Sequence, residues 1–281
     1  HELVQEAARQ AGVRVQSTAT GYSASGADLG SGSFRPLTEP RVLMPIGDGV
    51  SAYEAGQLWH LLDTKFAIPM TKVDLADFGG ADLSRYDVIV LPSGNYGTIS
   101  GARLDDLRRW LRAGGTLIAL RTAAQWAVAN ELTPNTESAD SADPIEHGRR
   151  DFADADAIRG AQAIGGSIWL ADLDTTHPLG FGYHRRELPV WRDHSILLAP
   201  SRNPYSTVAR LTDEPRLSGY VSARNLERLR GSPSVIVDQL GRGSVILLLD
   251  NPTFRGYWYG TNRLFLNALF FGRHVSVPPA P

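Results

Sequence analysis

"TLIALRTAAQWAVANE", residues 116–131, decides the fold. "TLIAL" is a short apolar run of the kind found in strands buried on both faces, and "TAAQWAVA" continues as a helix after a turn at Arg121 and Thr122. A buried strand that passes through a tight turn into a helix is the building unit of a parallel sheet, since the chain must cross back over one face before the next strand. In many α/β enzymes the apex of this turn carries the nucleophile. Here the apex has no Ser or Cys, and no glycine on either side.

The same alternation recurs upstream. "RVLMPIG" (41–47), "IPMTKVD" (68–74) and "YDVIVLPSG" (86–94) read as strands. Between them "VSAYEAGQLWHLLDTKF" (50–66) predicts a helix with Tyr53, Leu58, Leu61 and Leu62 near one face. "SGARLDDLRRWLRAGG" (100–115) predicts another, striped by Leu104, Leu107 and Leu111 and closed by paired glycines. The second half is richer in strands: "GSIWLADLD" (166–174), "HSILLAPS" (194–201), "STVARLT" (206–212), "SVIVDQLG" (234–241) and "GSVILLLD" (243–250), the last two joined by a "GRG" hairpin turn. "TNRLFLNALFFG" (261–272) closes as a helix with Thr261 as N-cap and Gly272 as C-cap. The expected fold is a doubly wound α/β domain over 41–275, a mostly parallel sheet with helices on both faces and a strand-rich second half. An arm of residues 1–40 precedes it, with a helix over 2–11, extended "VRVQSTAT" and a Gly/Ser/Pro-rich run; 276–281 form a tail. Residues 131–158 carry eight acidic residues against Arg149 and Arg150 and are expected to be a solvated excursion.

Composition narrows the chemistry. The chain has 281 residues, 42% hydrophobic and 21% charged, and a net charge of −2 gives no electrostatic reason to expect nucleic acid. The absence of cysteine excludes disulfides, thiolate metal sites and every cysteine-based hydrolase or amidotransferase mechanism. No apolar run reaches the length of a membrane span. "HELVQEAARQ" at the start lacks an initiator Met and a signal-peptide layout, and is expected to be an internal point of a longer protein.

Six residues are candidates for a strand-end site: Gly49 and Glu54 in "GDGVSAYEAG", Ser93 and Gly94 in "LPSGNYG", and Arg121 with Thr122 at the elbow. Doubly wound sheets bind ligands at the carboxyl ends of their strands, and an arginine beside backbone amides suits a carboxylate or phosphate. Ser93 has no paired base in the sequence. His184 and Glu187 in "YHRRE" have the His-x-x-Glu spacing of some zinc sites, but without a third ligand they read as a charged loop. His177 reads as a hydrogen-bonded turn residue, and "FRGYWYG", with Arg255 and Trp258, as a packing corner or an interface.

Five blocks together carry a resemblance: "PRVLMPIGDGVSAYEAGQLWHLLD", "DLSRYDVIVLPSG", "GAQAIGGSIWLADLDTTHPLGFGY", "PRLSGYVS" and "DNPTFRGYWYGTNRLFLNALFFG". Over residues 1–275 they resemble the C-terminal region of bacterial exported zinc carboxypeptidases of the carboxypeptidase A-like family. That region is similar to the class I glutamine amidotransferase fold, which is flavodoxin-like. In active amidotransferases the elbow presents a Cys flanked by glycines; "LRTAA" departs from that pattern, so the glutaminase mechanism does not carry over. The resemblance places the zinc ligands and catalytic Glu in a preceding domain, so no catalytic residue, metal or cofactor is expected in this chain. It implies a non-catalytic accessory domain, periplasmic or extracellular, whose partner is the catalytic domain of the same chain or a second copy. The alternative is a small-anion or residual hydrolase site at the six strand-end residues.

Overall fold

The computed structural model describes residues 1–138 and 149–279, and the chain divides into two compact units, His1–Thr38 and Glu39–Pro281. In the first, α1 (Glu2–Ala11) ends where Gly12 turns left-handed and its N–H bonds back to Ala8 and Arg9 carbonyls. Residues 13–38 have no helix or strand.

Among the described residues the second unit holds nine strands: β1 (Val42–Ile46), β2 (Met70–Asp74), β3 (Val88–Leu91), β4 (Thr116–Leu120), β5 (Ser167–Leu173), β6 (Glu187–Arg192), β7 (Thr207–Ser218), β8 (Pro233–Leu240) and β9 (Gly243–Leu248). Its helices are α2 (Ala52–His60), α3 (Ala102–Arg112), α4 (Thr122–Ala129), α5 (Ala155–Gln162), α6 (Ala223–Leu229) and α7 (Asn262–Phe271). All the strands form one sheet in the order β2-β1-β3-β4-β9-β8-β7-β5-β6. The first five pair in parallel, which is the strand order of flavodoxin-like folds. From β9 onward the pairing is antiparallel, and the strand-rich second half forms that wing.

The near-continuous apolar strands are required because both faces are covered. Met44, Val90, Ile118 and Leu248 pack with Leu58 and Leu62 of α2 and Leu264 and Phe265 of α7. Their sequence neighbours Leu43, Ile89, Leu117 and Leu247 point to the other face, against Leu104, Leu107 and Leu111 of α3 and Ala123 and Ala127 of α4. Each fully buried leucine in these layers contributes roughly 1.5–3 kcal/mol relative to exposure. Among the described residues no helix is long and apolar enough to cross a membrane.

Several local expectations change. Tyr53 is 86% exposed rather than on the packed face; it lies five residues from Leu58, about 140° around a helix. "HSILLAPS" is not a strand: Ile196, Leu197 and Leu198 are buried, but their backbone is irregular apart from a bridge between Leu198 and Glu137. A short apolar run fills a core equally well as coil when its polar groups find other partners. Thr261 precedes α7, yet its hydroxyl donates to the Pro252 carbonyl (2.8 Å) instead of capping. α5 occupies the end of the expected acidic excursion, and α6 forms in a segment with no expected helix. Residues 139–148 of that excursion lie outside the described residues.

Candidate functional site at the carboxyl ends of the strands

In the order β2-β1-β3 the connections leaving β1 and β3 run to opposite sides of the sheet, and the crevice between them is where such folds bind ligands. Here the two loops are stitched together. Val50 bridges Gly94, the Ser51 N–H donates to the Ser93 carbonyl (2.8 Å), and the Asn95 N–H donates to the Gly49 carbonyl (2.7 Å). Gly94 permits this approach, since a Cβ there would sit 2.6 Å from the Gly49 oxygen. Gly49 turns with φ 89°, a conformation that favours glycine.

Glu54 stands three residues after Ser51, the N-cap of α2, whose hydroxyl accepts from the Glu54 N–H (3.4 Å). In a capping box the glutamate would fold back onto its own helix. Instead the Glu54 carboxylate, 2% exposed as a residue, reaches over the strand ends. One oxygen accepts the Ser93 N–H (2.6 Å), and the other accepts from the Arg121 guanidinium (2.5 Å).

Arg121 sits at the elbow with φ 50° and ψ −111°. A side chain in that region costs of order 1–3 kcal/mol and persists only where surrounding contacts fix it. The contacts are ionic: one terminal nitrogen meets Glu54, and the other lies 2.8 Å from the Asp193 carboxylate. Its Nε is buried with no hydrogen-bond partner among the described residues. Beside it the Thr122 hydroxyl lies 2.7 Å from the Ser93 hydroxyl and accepts the Gly94 N–H (2.8 Å). All six candidate residues therefore meet in one cluster, and the three amides of "SGN" are each consumed inside it: Ser93 by Glu54, Gly94 by Thr122, Asn95 by Gly49.

The neighbouring triplet Arg192-Asp193-His194 is not among the residues that sequence reasoning singles out. It leaves the end of β6 and ties the antiparallel wing to the parallel strands. Arg192, fully buried, makes a two-pronged bond to Asp250 beyond β9 (2.8 and 3.2 Å), and the Ser234 hydroxyl also donates to that carboxylate (2.5 Å). Asp193 holds Arg121. His194 Nε2 lies 2.7 Å from the Leu249 carbonyl, and its Nδ1 accepts the Ile196 N–H (3.2 Å). Burial, then the charges of Arg192 and Arg121, hold its pKa well below the ordinary histidine value. The available signal was a charged triplet lodged between the apolar runs of "LPVW" and "ILL".

The remaining candidates stand apart from this network. His184 is exposed in the irregular segment before β6, and Glu187 opens that strand. His177 accepts the Leu179 N–H on Nδ1 (3.1 Å), and burial lowers its pKa. Arg255 is exposed over the Phe254 ring, while the half-buried Trp258 donates to the Pro189 carbonyl (3.4 Å). Phe254 stacks on Trp191 with centroids 4.0 Å apart.

No protein-family model matches this chain, and neither does any curated protein. Among solved structures it is similar to a ThuA-like protein from Parabacteroides merdae, with a TM-score of 0.54 at 13% identity over 87% of this chain and 93% of the other. A GMP synthase-type protein from Thermoplasma acidophilum matches at 0.49 and 11% identity (83% and 94% covered). A glutamine amidotransferase from Thermotoga maritima matches at 0.45 and 11% (76% of each). At these identities the likeness concerns the fold alone, a flavodoxin-like α/β sheet.

Proposed function

We propose that this chain is a non-catalytic accessory domain, an amidotransferase-like sheet without a nucleophile, attached to the catalytic domain of an exported zinc carboxypeptidase. The observation that carries the first part is the filled elbow. An acyl-transfer site needs an activatable nucleophile and free donors for the oxyanion. Here the nucleophile position is an arginine neutralised by Glu54 and Asp193, and the Ser93 and Gly94 amides point at Glu54 and Thr122. The carboxypeptidase parent rests on the five sequence blocks described above. Glutaminase, esterase and carboxypeptidase assays on this chain, with zinc analysis, are expected to show neither turnover nor bound zinc. The full-length protein is expected to hold zinc and release C-terminal residues from peptides, and fractionation should find it outside the cytoplasm. Stoichiometric zinc with carboxypeptidase turnover in the chain alone overturns the reading.

A second reading, a small acidic ligand at the elbow, is favoured by the orphaned Arg121 Nε and by the Ser93 and Thr122 hydroxyls beside it. Such a ligand must displace Asp193 from Arg121. It predicts that acidic metabolites raise the melting temperature and that Arg121→Gly abolishes the rise.

A further inference from the structure

We propose that the outer face of α2 is a docking surface for an acidic amphipathic helix of a partner protein. This stands independently of whether the elbow is catalytic. The chain contains only two lysines, Lys65 and Lys72, among 28 Lys and Arg residues. Both are held over aromatic rings on this side of the sheet. Lys72, on the edge strand β2, lies 3.8 Å from the Trp59 ring centroid, and Lys65, in the wide turn that continues α2, lies 5.5 Å from that of Tyr259. Trp59 and Tyr259 nevertheless stay 43% and 61% exposed. Contacts of this kind orient an ammonium without neutralising it.

Tyr53, Gly56, His60 and Asp63 are exposed along α2 and its continuing turn. Gly56 is the telling residue. A glycine in the middle of an exposed helix weakens that helix relative to any ordinary side chain. The fold does not require it, because a Cβ there would meet nothing within 4 Å among the described residues. What glycine supplies is a bare strip of backbone between Tyr53 and His60, and the residues at a helix contact set how closely a second helix can approach. Asp63 is the acidic member of the patch, set against Lys65, Lys72 and Arg255, the last in the turn packed on α2. A locally cationic, aromatic surface on a protein of net charge −2 complements an acidic partner. Three cations offset by a carboxylate are too few to track a nucleic-acid backbone.

The test uses a fluorescein-labelled synthetic amphipathic helical peptide of Leu, Ala and Glu, with a control in which Gln replaces Glu. Fluorescence anisotropy with the full chain should show saturable binding of the Glu peptide. Binding should weaken about tenfold or more for the Gln peptide, for Gly56→Gln and for Lys65→Glu/Lys72→Glu. Gly56→Gln should melt no lower than wild type, which shows that lost binding is not lost folding. No saturable binding, equal affinity for the Gln peptide, or unchanged binding by Gly56→Gln overturns the proposal. So does self-association in light scattering that Gly56→Gln abolishes, or equally tight binding of a single-stranded oligonucleotide.

Discussion

Replacing Arg121 by glycine separates two effects of opposite sign. The backbone at φ 50°, ψ −111° is unfavourable for a side chain, and glycine relieves roughly 1–2 kcal/mol of that cost. The same change strands Glu54, whose side chain is 3% exposed. Removing one partner of a buried pair costs about 3–5 kcal/mol. Arg121 keeps 19% side-chain exposure, which argues for the lower end, about 3 kcal/mol. The net expectation is destabilisation by about 1–2 kcal/mol, or roughly 3–6 °C in melting temperature for a domain of this size. Glu54→Gln in the same chain removes the stranded charge while its amide oxygen still accepts the Ser93 N–H. The double variant should recover to wild-type stability or above, a coupling of at least about 1 kcal/mol. Urea unfolding of wild type, both single variants and the double variant at neutral pH measures this directly. If Arg121→Gly alone is as stable as wild type and Glu54→Gln adds nothing, the ion pair does not hold the elbow and the reasoning fails.

Two further outcomes follow from the Arg192-Asp193-His194 triplet. Arg192→Met leaves Asp250 buried without its cation and should cost about 3–5 kcal/mol, read as a lower urea midpoint; an unchanged midpoint would mean that Asp250 is solvated. His194 is neutral when folded and its pKa is depressed, so the unfolded chain takes up a proton below about pH 6.5 that the native ring refuses. Stability is therefore complete above that pH and declines as the pH falls toward 5, by up to about 1.4 kcal/mol per pH unit for this group. His194→Asn should flatten that decline relative to wild type, whatever its effect at neutral pH, and parallel pH profiles would refute the assignment.

The parallel half of the sheet was legible because its strands are buried on both faces and its helices carry clean apolar stripes, as with Leu104, Leu107 and Leu111. The position of Glu54, Ser93 and Arg121 at the strand ends was legible too, since each follows a recognisable strand. Their partners were not. Asp193 reaches Arg121 from just beyond the end of β6, more than seventy residues later in the chain, and no local periodicity encodes a pairing of that separation. "HSILLAPS" misled because apolar content reports burial, not backbone conformation, and Ile196–Leu198 are buried as coil.

The most direct measurement follows the amide resonances of Ser93, Gly94 and Asn95 by NMR during titration with glutamine, glutamate and phosphate, together with their hydrogen exchange. Amides already bonded to Glu54, Thr122 and Gly49 should exchange slowly and keep their shifts throughout. Saturable shifts at Ser93 and Gly94, with release of Glu54 or Thr122, would show that the strand ends receive a ligand after all.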